Sequence, residues 1–467
     1  MGRHSRVAVS SLDDGPSSRN PARRIAGAGV MARRVLAALL AVAAVAALVG
    51  LAVLWPRGEA PEVGQGFRDS QSMAAQSFPG RVAEVAAGTC GSPDAGVAFD
   101  GAPQQAAALP QVPGLPAQPP RECELVVVDI TGGPDEGRRT LLEMSGQPGE
   151  PELAQGTGIH LTSHAIGADQ TRYAFLDIDR TTSVWAWLAV TALAIVAVAA
   201  WRGARAIAGL VLTLAVVGFF LIPALLRGGP PVALSLVTGA VVLFPVMFLV
   251  HGVNWKSAAA LGGTLASLGA SAGLAHVAIG GADLRGLADD SNLLIQLYLP
   301  AVSVTGLMLA GFIVGALGVL NDVTIAQAST VTELAEADPD AGPLELFASA
   351  MRVGRDHIAS MVYTLVLAYV GASLPMTLLL SVAERPLMQV LTSDIVATEL
   401  LRSAIGALGL TLAVPVTTAI AAVTAQVREQ NREQGREQNR EQSRPGKPAV
   451  QTRQSGPTSP AGTVRVP

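Results

Sequence analysis

The sequence predicts a polytopic α-helical membrane protein of about eight transmembrane helices, with a small extracytoplasmic β-rich domain, an OB-like barrel, between the first and second spans. Half of the 467 residues are hydrophobic and only 15% are charged, against about 25% in a soluble domain. Apolar runs of about 20 residues, the length that crosses a bilayer as a helix, recur along the chain. All five tryptophans, Trp55, Trp185, Trp187, Trp201 and Trp255, stand at the edge of such a run, where an amphipathic ring prefers headgroup depth. The net charge of −4 points to no polyanionic partner. The expected partner is therefore the lipid bilayer and not nucleic acid, with a protein partner or homo-oligomer left open.

In chain order, residues 1–34 read as a basic, disordered cytoplasmic arm and residues 35–55 as the first span. That run exceeds the 7–15 apolar residues typical of a signal peptide, and no small-x-small cleavage site follows at once. Residues 56–183 form the extracytoplasmic domain. Residues 184–423 hold seven further spans, at 184–201, 206–225, 232–251, 257–280, 297–319, 358–381 and 404–423. Lys and Arg near span ends mark the cytoplasmic side. Arg33 and Arg34 fix the N-terminus there, and alternate counting brings Arg202, Arg205, Lys256, Arg352 and Arg355 to the same side. Arg402 falls in a short outer loop on this count. An even number of spans puts both termini in the cytoplasm, and the Arg-over-Lys, Ala- and Gly-rich usage suggests a bacterial cell membrane.

The outer domain contains both cysteines, Cys90 and Cys123, and an oxidising compartment makes a disulfide their natural state. Residues 91–120 between them are rich in Pro, Gly, Ala and Gln and read as a flexible excursion. Five runs, 81–86, 123–130, 138–143, 158–164 and 173–178, alternate or are β-branched, and a strong turn at 132–137 joins two of them. His160 and His164 lie on one face of a predicted strand, but a third ligand is missing, so no metal site is expected. Asp177, Asp179 and Arg180 orient the domain at the membrane surface.

Charges are nearly absent from the expected spans. Gly263, Ser267 and Ser271 share one helix face, and Gly269 with Gly273 and Gly311 with Gly315 make GxxxG pairs that suit close helix packing. Pro223, Pro245, Pro300, Pro375 and Pro415 lie in spans or at their edges and can kink them. Polar residues gather after the sixth span: Asn321, Asp322, Thr324, Gln327, Ser329 and Glu333. In a helix Asp322, Ser329 and Glu333 share a face, and Asn321 or Asp322 can cap it. A carboxylate beside hydroxyl and amide groups at a span terminus makes this the candidate ion or transport site. His276 with Asp289 and Asp290 forms a second candidate, an outer mouth.

Three stretches carry a resemblance: Leu261-Gly262-Gly263-Thr264-Leu265-Ala266-Ser267-Leu268; Gly318-Val319-Leu320-Asn321-Asp322-Val323-Thr324 through Gln327-Ala328-Ser329; and Ala350-Met351-Arg352-Val353-Gly354-Arg355-Asp356-His357. With Thr392-Ser393-Asp394 and the Gly133-Pro134-Asp135 turn, they resemble the YibE/YibF family of bacterial membrane proteins, over roughly residues 81–423. The resemblance implies a multi-pass membrane protein with a role in transport at most. It marks Asp322, Thr324, Gln327, Arg352, Arg355, Asp356 and His357 as matching positions. Arg352 and Arg355 would pair with Asp322 or Glu333 across the cytoplasmic face.

The leading expectation is a secondary transporter or permease component. The alternative is a non-enzymatic assembly or sensor protein that binds a partner through its β domain. The chain lacks a Gly-x-x-x-x-Gly-Lys nucleotide loop and a His-Glu-x-x-His zinc motif, so no enzyme activity and no cofactor are expected. Residues 424–467 carry four Arg-Glu-Gln repeats and then a Pro- and Ser-rich stretch, expected as a solvated cytoplasmic tail.

Overall fold

The computed structural model describes residues 21–59, 76–104, 121–166, 170–287, 289–382 and 385–425. The expectations for the first 20 residues, for residues 105–120 and for the Arg-Glu-Gln tail lie outside the described residues.

Helix α1 (Pro21–Val53) leads into a sheet of six strands: β1 (Ser77–Thr89), β2 (Ala98–Phe99), β3 (Glu122–Ile130), β4 (Arg139–Met144), β5 (Gly158–Ile166) and β6 (Gln170–Ile178). All five expected strands are present. Helix α1 already begins at Pro21, so residues 21–34 of the arm expected to be disordered are helical.

The strands pair antiparallel in the order β2-β4-β3-β1-β5-β6 and form a half-barrel, with edges that are bridged and not fully paired. Gly96 makes the bridge. Its N–H donates to the Leu141 carbonyl of β4 at 2.8 Å, and its carbonyl accepts from Tyr173 N–H of β6 at 2.6 Å. Gly96 has φ +72°, and a Cβ there would lie 2.8 Å from the Tyr173 carbonyl oxygen, so glycine suits this position. The chain after Cys90 is thus ordered before it leaves the described residues, contrary to the reading of 91–120 as a single flexible excursion. Glu143 fixes it further, accepting from the N–H groups of Gly91 and Ser92 at 2.8 and 2.7 Å.

Alternation along the strands explains the core: Val126, Val128 and Ile130 of β3 meet Val82, Leu142, Ile159, Leu161 and Tyr173. The 132–137 turn is tied across the barrel, because Tyr173 Oη donates to Asp135 at 2.8 Å and Arg138 donates to the other Asp135 oxygen at 2.9 Å. The disulfide Cys90–Cys123 closes the β1–β3 end, with the two Cα atoms 5.3 Å apart. On the chain-entropy model a loop of about 34 residues contributes about 3 to 4 kcal/mol.

The remaining helices are α2 (Thr181–Val216), a π-turn (Val217–Leu221), α3 (Ile222–Leu226), α4 (Pro231–His251), α5 (Trp255–Gly281), α6 (Asp290–Tyr298), α7 (Val304–Ala337), α8 (Pro343–Ala372), α9 (Leu374–Val382), α10 (Leu387–Leu391) and α11 (Asp394–Ala425). Among the described residues six helices are long and apolar enough to cross a membrane, or seven if the bent α8–α9 pair makes one span, against the eight expected. The expected second and third spans lie on one 46-residue run, Thr181–Leu226. The expected seventh span is divided between α8 and α9, which meet at a bend of 63°. The sixth starts at Val304 and not at residue 297, since α6 and a short loop intervene.

The long run is not straight. Ala200 adopts φ 49° and ψ −132° inside it. A Cβ on Gly203 would lie 2.6 Å from the Ile195 carbonyl oxygen. In a continuous helix those two residues are about 12 Å apart, so the chain turns back on itself at Ala200.

Local chemistry sets the other helix ends. Asn254 caps α5 by accepting from Ser257 N–H at 2.8 Å, Ser303 caps α7 through Gly306 N–H at 3.1 Å, and Glu345 reaches back to Gly342 N–H at 2.9 Å to open α8. Helices α5 and α11 bury half or more of their most apolar windows, whereas α1 and the 181–226 run bury less than a quarter. The centre of the bundle is therefore α5, α7 and α11.

Two predictions follow from this packing. Gly409 of α11 lies against Ser271 Oγ, while Gly273 of α5 faces open space. Gly409→Val should cost about 1 to 3 kcal/mol through overpacking, and Gly273→Val should leave the melting temperature in a bilayer mimic nearly unchanged. In the sheet, burial together with the hydrogen bond to Asp135 pushes the Tyr173 phenol up to about 12. Its ordinary value is about 10. The protonated phenol therefore contributes stability fully below about pH 10 and loses it as pH rises toward about 12. Difference absorbance titration of the full chain against Tyr173→Phe should show this late phenolate.

Candidate functional site

The central helices meet through glycine. Gly263 of α5 lies against Thr417 Oγ1 of α11, and Gly409 of α11 against Ser271 Oγ of α5. Gly354 of α8 faces Val414 of α11 and the Gln327 amide of α7. A missing side chain lets the backbones approach, and the neighbour's hydroxyl or amide enters the space. The GxxxG expectation is corrected here. Gly269, Gly273 and Gly311 pack against nothing within 4 Å, and of the four only Gly315 has a neighbour, the Tyr369 hydroxyl.

These contacts build a polar seam inside an apolar bundle. It holds Thr264, Ser267 and Ser271 from α5, Thr324 and Gln327 from α7, and Thr417 and Thr418 from α11, all buried. Thr264 Oγ1 and Thr324 Oγ1 are 2.6 Å apart and tie α5 to α7. Each hydroxyl also lies within hydrogen-bond distance of a helical carbonyl, Thr264 of Ala260 at 2.9 Å and Thr324 of Asn321 at 3.0 Å, so two protons are shared among three contacts. Gln327 Nε2 donates to the Ala350 carbonyl of α8 at 2.9 Å. Several seam atoms have no protein partner: Ser267 Oγ, Ser271 Oγ, Thr417 Oγ1, Gln327 Oε1 and Asn321 Oδ1. A buried polar atom without a partner costs about 1 to 3 kcal/mol, so each of the five calls for a partner that the protein does not supply.

At the end where α5 begins and α7 and α11 finish, the seam approaches an open cleft of about 920 Å³. Arg33, Trp255, Lys256, Glu333, Asp338 and Thr424 are among its lining residues. Arg33 lies over the Trp255 ring at 5.1 Å and donates to the Thr424 carbonyl at 2.8 Å, fastening α1 to the mouths of α5 and α11. Thr264 stands about 12 Å further along α5 than Lys256.

Toward the opposite end, a half-buried charge lies against two aromatic rings. Arg402 of α11 pairs with Glu399 at 3.0 Å and lies over Phe312 of α7 at 5.2 Å and Tyr369 of α8 at 5.9 Å. It was expected in an outer loop; it sits instead within α11, and its Nε is buried without a partner. The helix continues past the end of the apolar run, which is why a span count by hydropathy missed it.

The expected candidate residues divide by helix face. Asn321, Thr324 and Gln327 point into the seam, Asn321 half-buried and the other two fully buried. Asp322 and Glu333 are exposed and Ser329 half-buried. They do share a face, but it is the outer one. Helix α7 runs unbroken through all of them, so neither Asn321 nor Asp322 caps anything. Asp322 lies within electrostatic reach of His251, as do Lys256 and Arg202.

Arg352, Arg355 and Asp356 are exposed and His357 half-buried on α8. Arg352 donates to Ser349 Oγ at 3.0 Å, and among the described residues no ion pair joins Arg352 or Arg355 to Asp322 or Glu333. Asp289 caps α6 through Ser291 N–H at 2.8 Å, Asp290 follows it, and His276 is exposed on α5 without an ion pair to either. His160 lies 4.0 Å from Asp179, while the His164 side chain is outside the described residues. Cys90, Cys123 and Glu143 cluster closely, but the sulfurs are bonded to each other.

Gly269-Ala270-Ser271-Ala272-Gly273 spells Gly-x-Ser-x-Gly, a hydrolase pattern expected to be absent from the chain. It lies inside the continuous helix α5 and not at the strand-to-helix turn that exposes a hydrolase nucleophile.

A family model described as YibE/F-like protein matches residues 187–427. The match covers more than half of the chain, which belongs to this family of membrane proteins. It contains the seam, the Arg402 sandwich and the cleft apart from the α1 residues Arg33, Ala37 and Leu40, and it excludes the sheet domain that the sequence resemblance had taken in. No match was found among curated proteins or among solved structures.

The Thr264–Thr324 contact should couple the two helices measurably. In a double-mutant cycle of Thr264→Val and Thr324→Val, unfolding in a bilayer mimic should give an interaction energy of about 0.5 to 1.5 kcal/mol. Strict additivity of the two losses would show that the hydroxyls do not act as a pair.

Proposed function

Proceeding from membership of the YibE/F-like family, we propose that the protein is a secondary transporter or permease component of a bacterial plasma membrane. One observation carries this reading: the central seam holds buried polar atoms without protein partners, between the end of the bundle where the cleft lies and the end where Arg402 stands over Phe312 and Tyr369. Unfilled hydrogen-bonding capacity in the middle of an apolar bundle is what a passing polar solute or ion needs. A cleft at the end where α5 begins suits a carrier that faces that side. Helix α11 lines the seam and contains Pro415, which removes a backbone hydrogen bond and gives it a place to flex.

On this reading the cleft faces the cytoplasm, as the Arg and Lys distribution requires. The turn at Ala200 divides the 181–226 run into two crossings, and the bent α8–α9 pair supplies another. With α1, α4, α5, α7 and α11 the total is eight, which returns both termini to the cytoplasm. The sheet domain is then extracytoplasmic and OB-like. The strand order β4-β3-β1-β5-β6 supports that reading, with Gly96 bridging the edges a closed barrel would join.

A second reading, an assembly or sensor protein, is favoured by a different observation. The first part of α2 leaves Trp185, Trp187, Leu193 and Val198 exposed and packs against little of its own chain. A partner helix would fit there as well as lipid does.

Cysteine accessibility separates the two readings. The native cysteines are bonded to each other, so Thr417→Cys introduces the single free thiol among the described residues. A carrier should be labelled by a membrane-impermeant maleimide from the cytoplasmic side in inverted vesicles. Adding Arg402→Gln should raise labelling from the outer side several-fold. Absence of labelling from both sides in both backgrounds would leave the seam a static core and favour the assembly reading.

A further inference from the structure

We infer that the seam between α5, α7, α8 and α11 binds a monovalent alkali cation through neutral oxygens. The inference rests on the carrier reading for its location and on the ligand chemistry for its content. Donor and acceptor counting sets the sign of the ligand. The Thr264 and Thr324 hydroxyls supply two protons to three contacts, with each other, with the Ala260 carbonyl and with the Asn321 carbonyl. Lone pairs on both oxygens are left over. Gln327 spends a donor on the Ala350 carbonyl, which leaves its Oε1 buried as an acceptor with nothing to accept. Asn321 Oδ1 is in the same state nearly two turns earlier on α7. The two amide oxygens accept and never donate, and the hydroxyls of Ser267 and Thr417 add oxygens able to turn a lone pair inward.

Gln327 and Thr417 are fully buried, and Ser267 is 1% exposed, so bulk water does not reach these groups. Two contacts place these groups near one another: Thr417 lies against Gly263, next to Thr264, and Gln327 lies against Gly354, which also faces Val414, one turn before Thr417 and Thr418 on α11. No Arg, Lys or His is among the buried residues of the seam, so an anion would find hydroxyl donors and no positive charge. No carboxylate is among them either, which disfavours a divalent cation, whose sites draw on Asp and Glu oxygens. Sulfur and imidazole ligands are likewise absent there, which disfavours zinc. A singly charged ion shedding its water into hydroxyl and amide oxygens fits what remains.

The test is binding by the full-length protein in lipid nanodiscs, with radioactive sodium measured by scintillation proximity. Thermal unfolding in sodium, potassium and choline chlorides at equal ionic strength gives a second readout. Wild type should bind sodium saturably, and competition by unlabelled sodium or potassium should reveal which is preferred. Gln327→Leu and Thr324→Val should each weaken binding at least tenfold, whereas Thr324→Ser should retain it. Thr411→Val, an exposed threonine of the same helix as Thr417, should bind as wild type does. Two results would overturn the inference: wild-type melting curves that superimpose in all three salts with no displaceable sodium, or sodium binding unchanged in both Gln327→Leu and Thr324→Val. Competition on the wild type decides the matter even where a variant fails to fold. The carrier reading falls or stands separately. A seam labelled from both sides without alkali binding refutes the cation and keeps the carrier, and bound sodium in a seam never reached by label does the reverse.

Discussion

A hydroxyl or amide group inside a membrane has no water to fall back on, so each one must find a partner in the protein or in something the protein holds. The centre of this bundle depends on how that requirement is met. Helices α5, α7, α8 and α11 approach closely because Gly263, Gly354 and Gly409 leave room, and the room is taken by Thr417, Gln327 and Ser271. Some of the polar atoms brought in are satisfied by backbone carbonyls in the ordinary way of helical Ser and Thr, as Thr418 is by the Val414 carbonyl at 2.6 Å. Others are left without a protein partner. Close packing and unfilled polarity thus come from the same residues, and the function proposed grows from that coincidence.

The ends of the seam are built differently, and the difference gives it a direction. At one end Arg33 and Trp255 hold α1 beside the start of α5 without closing the cleft between them. At the other, Arg402 is clamped between Phe312 and Tyr369 with Glu399 for a counter-ion. A paired charge between aromatic rings is stable while dry and weakened by water, which suits a contact that has to open and reclose. The sheet domain is rigid by comparison, with the disulfide, Gly96 and the Asp135–Tyr173 contact all tying its strands together.

How much of this was legible in the sequence follows from what each signal reports. The five longer strands were readable because each has one face in the core, so alternation survives in the chain. The apolar runs were equally plain, but hydropathy does not see turns. Charge marked this one: Arg202 and Arg205 interrupt the 181–226 run beside Ala200, where the second and third spans were expected to part between residues 201 and 206. Arg402 was hidden, since a charge beside an apolar run reads as a loop until the partner rings from two other helices are in view. The site was half legible. Helical spacing put Asp322, Ser329 and Glu333 on one face and Asn321, Thr324 and Gln327 on another, and charge drew attention to the first. Burial favours the second, because a bundle that carries polar groups in its interior does so at lower cost with neutral ones. Which small residues pack was beyond the sequence, since Gly263 and Gly273 have the same local signature and differ only in what stands opposite.

The central claim is that the unpartnered seam atoms exist to hold something. Native mass spectrometry of the protein extracted gently from its own membrane tests it most directly. The account predicts a small molecule or ion retained by the wild type and lost in Gln327→Leu, with the protein otherwise intact. Identical spectra for the two, free of any small ligand and showing instead a stoichiometric protein partner, would contradict it.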